Sequence, residues 1–224
     1  MSDDYAVKEI VEPRTGKVHR LYTYKRKPCR RVVVQSRLAD QLAGYTLVEK
    51  DLRNVLSWLA EIEQRHTDGP TRKDEHYARS PDRAKYNLIK GLFVAALTFY
   101  GKCFSKCEGR PVKLERAQLS EHFRQLHDTC MKYRHNFAAH SGSARLEHVE
   151  VVVVLPLQSK KPVLPNLYRE LFQPDLLSPS AGELTLSELV EHARSIAVTK
   201  TDLLSKKILN EEVLPKGREY WLKK

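Results

Sequence analysis

Hydrophobic positions recur along this chain with two different periods, and each change of period marks an element. From Thr46 onward, Val48, Leu52, Val55, Leu59 and Ile62 alternate steps of four and three, the period of one apolar helix face. Thr46 and Glu49 have capping-box spacing, which predicts a helix start there, and Asp68, Gly69 and Pro70 end it. Ser36 to Ala43 predicts a separate short helix closed by Gly44. Residues 67–80 are a polar connection, after which Ser80-Pro81 opens a second helix with proline at its first position. The centre of that helix, Leu92 to Leu97, is apolar all round and predicts the most buried helix. A third helix begins between Leu114 and Ser120. It carries Leu119, Phe123, Leu126, Cys130, Tyr133 and Phe137 in the same alternation to a stop near Ser141-Gly142. Thr185 and Glu188 form another capping box, opening a fourth helix that runs to about Glu212 before Pro215.

Elsewhere the pattern is that of strands. Tyr5 to Val11 and Val18 to Tyr24, joined by Pro13 to Gly16, predict a hairpin. His148 to Leu155 is too rich in β-branched residues for a helix and is closed by Pro156, so it predicts a strand. The five prolines between 156 and 184 predict a loop with at most short elements. The fold class is therefore mainly α, a four-to-five-helix bundle. A hairpin and basic arm occupy 1–35, and the helical domain occupies 36–214, with one or two short strands inserted at 146–184 after the third long helix. A basic tail follows at 215–224.

Composition adds where the charge sits. Nine cations lie between Pro13 and Ala39 with no Asp or Glu among them, leaving only +2 of the formal +11 to the rest of the chain. Such a run attracts polyanions by counterion release, so Lys25, Arg26, Lys27, Arg30 and Arg31 are candidate RNA contacts, with Tyr22 and Tyr24 beside them as stacking surfaces. Four cysteines without Cys-x-x-Cys spacing, and an N-terminus without an apolar stretch, fit a cytoplasmic protein needing no disulfide or metal. No apolar run approaches the roughly 20 residues of a bilayer span. Neither a phosphate-binding glycine loop nor His-Glu-x-x-His occurs, and no cofactor is implied. Cys103 and Cys107, four apart, read as core residues, as do His127 and Cys130.

What remains is the end of the third helix, Tyr133 to Gly142. His140 lies on the core stripe, where a polar ring needs a reason, and Arg134 precedes it by six residues. This segment closely resembles the Arg-x(4–6)-His motif of the HEPN superfamily, the nucleotide-binding domains of higher eukaryotes and prokaryotes. In that family the motif ends the third helix of a four- or five-helix core. His135 after the arginine and the Ala139-His140-Ser141 ending match its usual form. The likeness covers 46–142 and extends to 185–212; the hairpin, arm and strand lie outside it.

The resemblance implies a metal-independent endoribonuclease of the toxin or phage-defence kind, acting as a homodimer in which two motifs face one cleft. An antitoxin or defence-system protein is a further implied partner. HEPN toxins silenced by an adenylyltransferase carry a tyrosine two residues after the motif histidine; Gly142 stands there in this chain. The residues suit RNA cleavage on their own chemistry. Histidine titrates near neutrality and moves protons, while arginine stays charged and holds two phosphate oxygens. Arg134 and His140 lie on different faces of an ideal helix, so two antiparallel copies would bring both to one phosphate more simply than one. Asn136 shares a face with His140, and either orients it or bonds the fraying helix end. A non-catalytic RNA-binding or scaffold protein using the same bundle and arm is the other reading.

Overall fold

The computed structural model describes residues 4–67, 83–139, 148–157, 164–172 and 184–224. Two compact units form, Gln41–Asp202 and, from the two ends of the chain, Met1–Asp40 with Leu203–Lys224. The chain is mainly helical. The described residues include four long helices: α1 (Arg37–Thr67), α2 (Arg83–Phe104), α3 (Glu121–Tyr133) and α4 (Leu186–Lys207).

The apolar stripes meet as their spacing requires. Val48, Leu52, Val55 and Ile62 of α1 pack with Phe93, Ala96, Leu97, Tyr100 and Cys103 of α2, Phe123 and Cys130 of α3, and Leu189, Val190, Ala193 and Ala197 of α4. Each large side chain so buried contributes about 1.5–3 kcal/mol. The capping box forms at α4, where Thr185 and Glu188 exchange backbone and side-chain hydrogen bonds of 2.7–3.1 Å. At α1 the structure corrects the sequence reading, for 37–67 is one helix. Its start is Ser36, whose hydroxyl accepts the Ala39 N–H at 3.1 Å. Thr46 instead bonds back to the Leu42 carbonyl, and Glu49 pairs with Arg194 at 2.9 Å. Gly44 is a packing residue: a Cβ there would stand 2.6 Å from Val112 Cγ2.

A buried ion cluster ties α1 to α2 and the loop that follows it. Asp51, 1% exposed, accepts Arg110 at 3.3 Å, Lys102 at 3.0 Å and Lys50 at 3.4 Å. The Arg110 guanidinium also donates to the Lys102 carbonyl. Removing the buried partner of a buried carboxylate typically costs 3–5 kcal/mol, and two half-exposed lysines remain here. Arg110→Met should therefore destabilise the chain by about 3 kcal/mol. A urea midpoint unchanged from wild type would refute this.

His127 is buried beside Phe104, and its Nδ1 lies 2.8 Å from the Tyr100 hydroxyl. Burial raises the phenol pKa and lowers that of the imidazole, so Tyr100 donates and His127 accepts as the neutral ring. His192 of α4 is likewise lowered, by burial and then by His122, and its Nε2 accepts the Ser120 N–H at 3.1 Å. Both rings hold protons more weakly folded than unfolded. Stability is therefore full above the ordinary histidine value of about 6.5 and declines as pH falls below it. Thermal scans should show a lower midpoint at pH 5 than at pH 7, with a smaller drop in His127→Gln; equal drops would count against the assignment.

Cys103 and Cys130 are core residues, their thiols pushed up to about 12 by burial. Cys107 departs from expectation. The helix ends at Phe104, so Cys107 is half-buried on the following loop and shares no helix face with Cys103. After α3, β4 (His148–Val154) appears as expected. The proline-rich stretch contains a full strand, β5 (Asn166–Phe172), antiparallel to β4 with His148 opposite Phe172. Seven residues between flanking prolines suffice for a strand when a valine-rich neighbour supplies its hydrogen bonds.

The unit formed by the chain ends contains the hairpin β1 (Tyr5–Val11) and β2 (Val18–Tyr24), extended by β3 (Lys27–Pro28). The β2–β3 turn is Lys25-Arg26, with φ of 46° and 65°. Glycine and asparagine favour these left-handed positions, and other residues pay roughly 1–2 kcal/mol each. The basic tail is helical. A π-helical turn (Ile208–Val213) and a 3-10 turn (Leu214–Lys216) lead to α5 (Gly217–Lys223), whose Trp221 donates to the Val213 carbonyl at 3.0 Å. Among the described residues no helix is long and apolar enough to cross a membrane.

Candidate active site at the end of the third helix

The segment that sequence singles out begins where α3 changes its winding. Phe123, His127 and Cys130 hold one face of α3 in the core, with Tyr133 and Phe137 packed against it further along. From Arg134 to Ala139 the backbone widens into a π-helical turn. Such turns are rare and occur frequently at functional sites.

Arg134 projects from the first position of this turn onto α2, over Gly101. A Cβ at Gly101 would lie 2.8 Å from Arg134 Cγ, 3.0 Å from Cδ and 3.3 Å from Nε. The glycine leaves the space through which the arginine stem passes. Arg134 Nε is buried and has no hydrogen-bond partner, and no carboxylate pairs with the guanidinium among the described residues. That N–H is left without an acceptor, while Arg134 as a whole is only half-buried.

The other motif residues are placed as follows. Asn136 donates its amide to the Lys132 carbonyl at 3.1 Å, so it bonds the end of its own helix. His135 is exposed. His140, the candidate proton carrier, lies outside the described residues. Phe137 takes Lys90 of α2 over its ring, with Nζ 5.0 Å from the centroid. The π turn is thus flanked by two cations, Arg134 on the turn and Lys90 on α2. No family model, curated protein or solved structure matches the chain.

Two residues of this arrangement escaped sequence reasoning. Gly101 has a signal, since a glycine inside a helix costs about 1 kcal/mol relative to alanine and so implies a close approach. Lys90 has a weaker one, a cation two residues ahead of the all-apolar Leu92 to Leu97 run. Among the described residues no three His, Cys, Asp or Glu gather as a metal site would need.

The candidate RNA contacts lie in the other unit and differ in availability. Lys25 pairs with Asp4 at 3.7 Å and lies over the Tyr24 ring. Arg20 pairs with Glu9 at 2.7 Å across the β1–β2 ladder. The cation run, free of acids along the sequence, is thus partly answered by acids across the hairpin. Arg30 donates to the Leu222 carbonyl at 2.6 Å. Arg26, Lys27 and Arg31 are exposed, with no ion pair among the described residues. The Tyr24 ring lies tilted at 45° to that of Tyr5, their centroids 4.7 Å apart, and Tyr22 is half-buried.

Proposed function

We propose that this chain is a metal-independent endoribonuclease of the HEPN kind, in which Arg134 and His140 act on a phosphodiester while the basic arm holds the RNA. The observation that carries the reading is the seat of Arg134: its stem is threaded over Gly101 and its guanidinium is unopposed by any described carboxylate. RNA supplies its own nucleophile. The 2′-hydroxyl attacks phosphorus as His140 moves its proton, the bond from phosphorus to the 5′-oxygen breaks, and the departing oxygen takes a proton. The products are a 2′,3′-cyclic phosphate and a 5′-hydroxyl. Arg134 is suited to the negative charge that builds on the phosphoryl oxygens between these events, because two parallel N–H donors fit two of them. Lys90, beside the same turn, adds positive potential there.

The test is cleavage of a labelled RNA by the full chain in excess chelator, with the ends of the product identified. Loss of activity in chelator, or products carrying 3′-hydroxyls, would refute the mechanism. Two antiparallel copies would bring an arginine and a histidine to one phosphate, so light scattering across a concentration series should reveal a dimer at micromolar protein. A persistent monomer that still cleaves RNA would overturn the two-copy site. The charge carried by the unit of the chain ends also favours a second reading, RNA binding without cleavage; binding in the absence of any cut product would select it.

A further inference from the structure

The two ends of the chain are brought together with their charges unbalanced. Residues 1–40 and 203–224 carry sixteen Lys and Arg against eight Asp and Glu, most of the net charge of the molecule in little more than a quarter of its length. Two hydrogen bonds join the ends: Arg30 to the Leu222 carbonyl at 2.6 Å, and Ser36 to Glu212 at 2.6 Å. The first brings Arg30 to Leu222, which Lys223 and Lys224 follow in sequence, with no acid between residues 13 and 39 and only Glu219, already paired with Arg218, in α5. Folding like charges against each other is unfavourable unless an anion offsets it. The β2–β3 turn departs from preference in the same direction. Lys25 and Arg26 occupy left-handed positions that Asn-Gly would fill more easily, which places Arg26 and the Lys25 that pairs with Asp4 at 3.7 Å at the tip of the sheet.

We propose that the chain ends form one binding surface for the phosphate backbone of single-stranded RNA, led by the Lys25-Arg26 turn and extended by Arg31, Lys223 and Lys224. The surface rests on the RNA reading given above. It adds the last residues of the chain as contacts and gives the strained turn its purpose. The exposed rings of Tyr24, beside Lys25, and of Tyr220, beside Lys216, favour a single strand, whose bases are free to stack, over a lipid surface.

The experiment measures anisotropy of a short labelled single-stranded RNA with the full chain across a salt series. The variants are Lys25→Asn/Arg26→Gly, Lys223→Gln/Lys224→Gln and, as a control in the other unit, Lys113→Gln. Each pair removes two phosphate contacts, so the slope of log affinity against log salt should flatten by roughly 1.4 in each pair, at about 0.7 per contact, and stay unchanged in the control. The turn variant should melt no lower than wild type, because Asn-Gly suits the turn, so weaker binding there is not loss of fold. If the turn variant binds more weakly and the Lys223/Lys224 variant binds as wild type, the joint surface is overturned while the RNA reading stands. If the wild-type chain binds no RNA, both fall together. Tight binding to phosphatidylserine vesicles that excess RNA fails to displace would also overturn the proposal.

Discussion

Alanine in place of His140 or Arg134 should leave a folded protein that no longer cleaves RNA. The proposed mechanism gives the two side chains different work, so the losses should have different signatures. Removing a proton carrier costs roughly 10²–10⁴ in rate, and the remaining activity should lose the neutral-pH limb that histidine titration gives. Removing the guanidinium withdraws charge stabilisation, an effect of comparable size, and should leave the shape of the pH profile unchanged. Arg134→Lys discriminates further: it keeps the charge but loses the pair of parallel donors, so rescue should be poor. The fold is the necessary control. Tyr133 and Phe137 on either side of Arg134 pack against the core, and a misfolded variant would be inactive for an uninteresting reason. Helicity and melting temperature equal to wild type, with cleavage lost, is the expected result. A well-folded His140→Ala protein with full activity would remove the enzyme and leave the bundle.

The bundle was legible because burial imposes a period. The stripes Val48 to Ile62 and Phe123 to Phe137 are what a helix must carry to bury one face, and the structure packs them against one another. Local punctuation was less dependable. Gly44 has the look of a stop and Thr46 of a cap, yet both lie inside α1, where Gly44 answers to Val112, far away in sequence. A glycine chosen for tertiary approach cannot be told from one chosen for a turn by its neighbours alone. Charge shows the same limit. The run from Arg14 to Arg37 has no acid along the sequence, but β1 places Glu9 opposite Arg20, and Asp4 lies beside Lys25. At the site, sequence named Arg134 from its motif. That its stem crosses α2 at Gly101 depends on how two helices pack, which no single-helix pattern encodes.

Gly101→Ala should reduce RNA cleavage as severely as Arg134→Ala while hardly changing stability. The new methyl group would meet Arg134 Cγ at 2.8 Å and Cδ at 3.0 Å, closer than carbon atoms approach, and the arginine stem is the softer party. Displacing it moves the guanidinium from its place beside the π turn. The backbone gains in compensation, since alanine is better than glycine in a helix interior by about 1 kcal/mol, which offsets much of the cost of the shift. Activity and stability therefore separate. Gly101 is a positioning residue that acts through Arg134, and a double-mutant cycle can isolate that role. In an Arg134→Ala background the methyl group has no stem to strike, so adding Gly101→Ala should cost no further activity and should raise the melting temperature. The pH profile of Gly101→Ala should keep its wild-type shape, because the proton carrier is untouched. If Gly101→Ala is fully active, or if its loss multiplies with that of Arg134→Ala, the space at Gly101 serves helix packing alone.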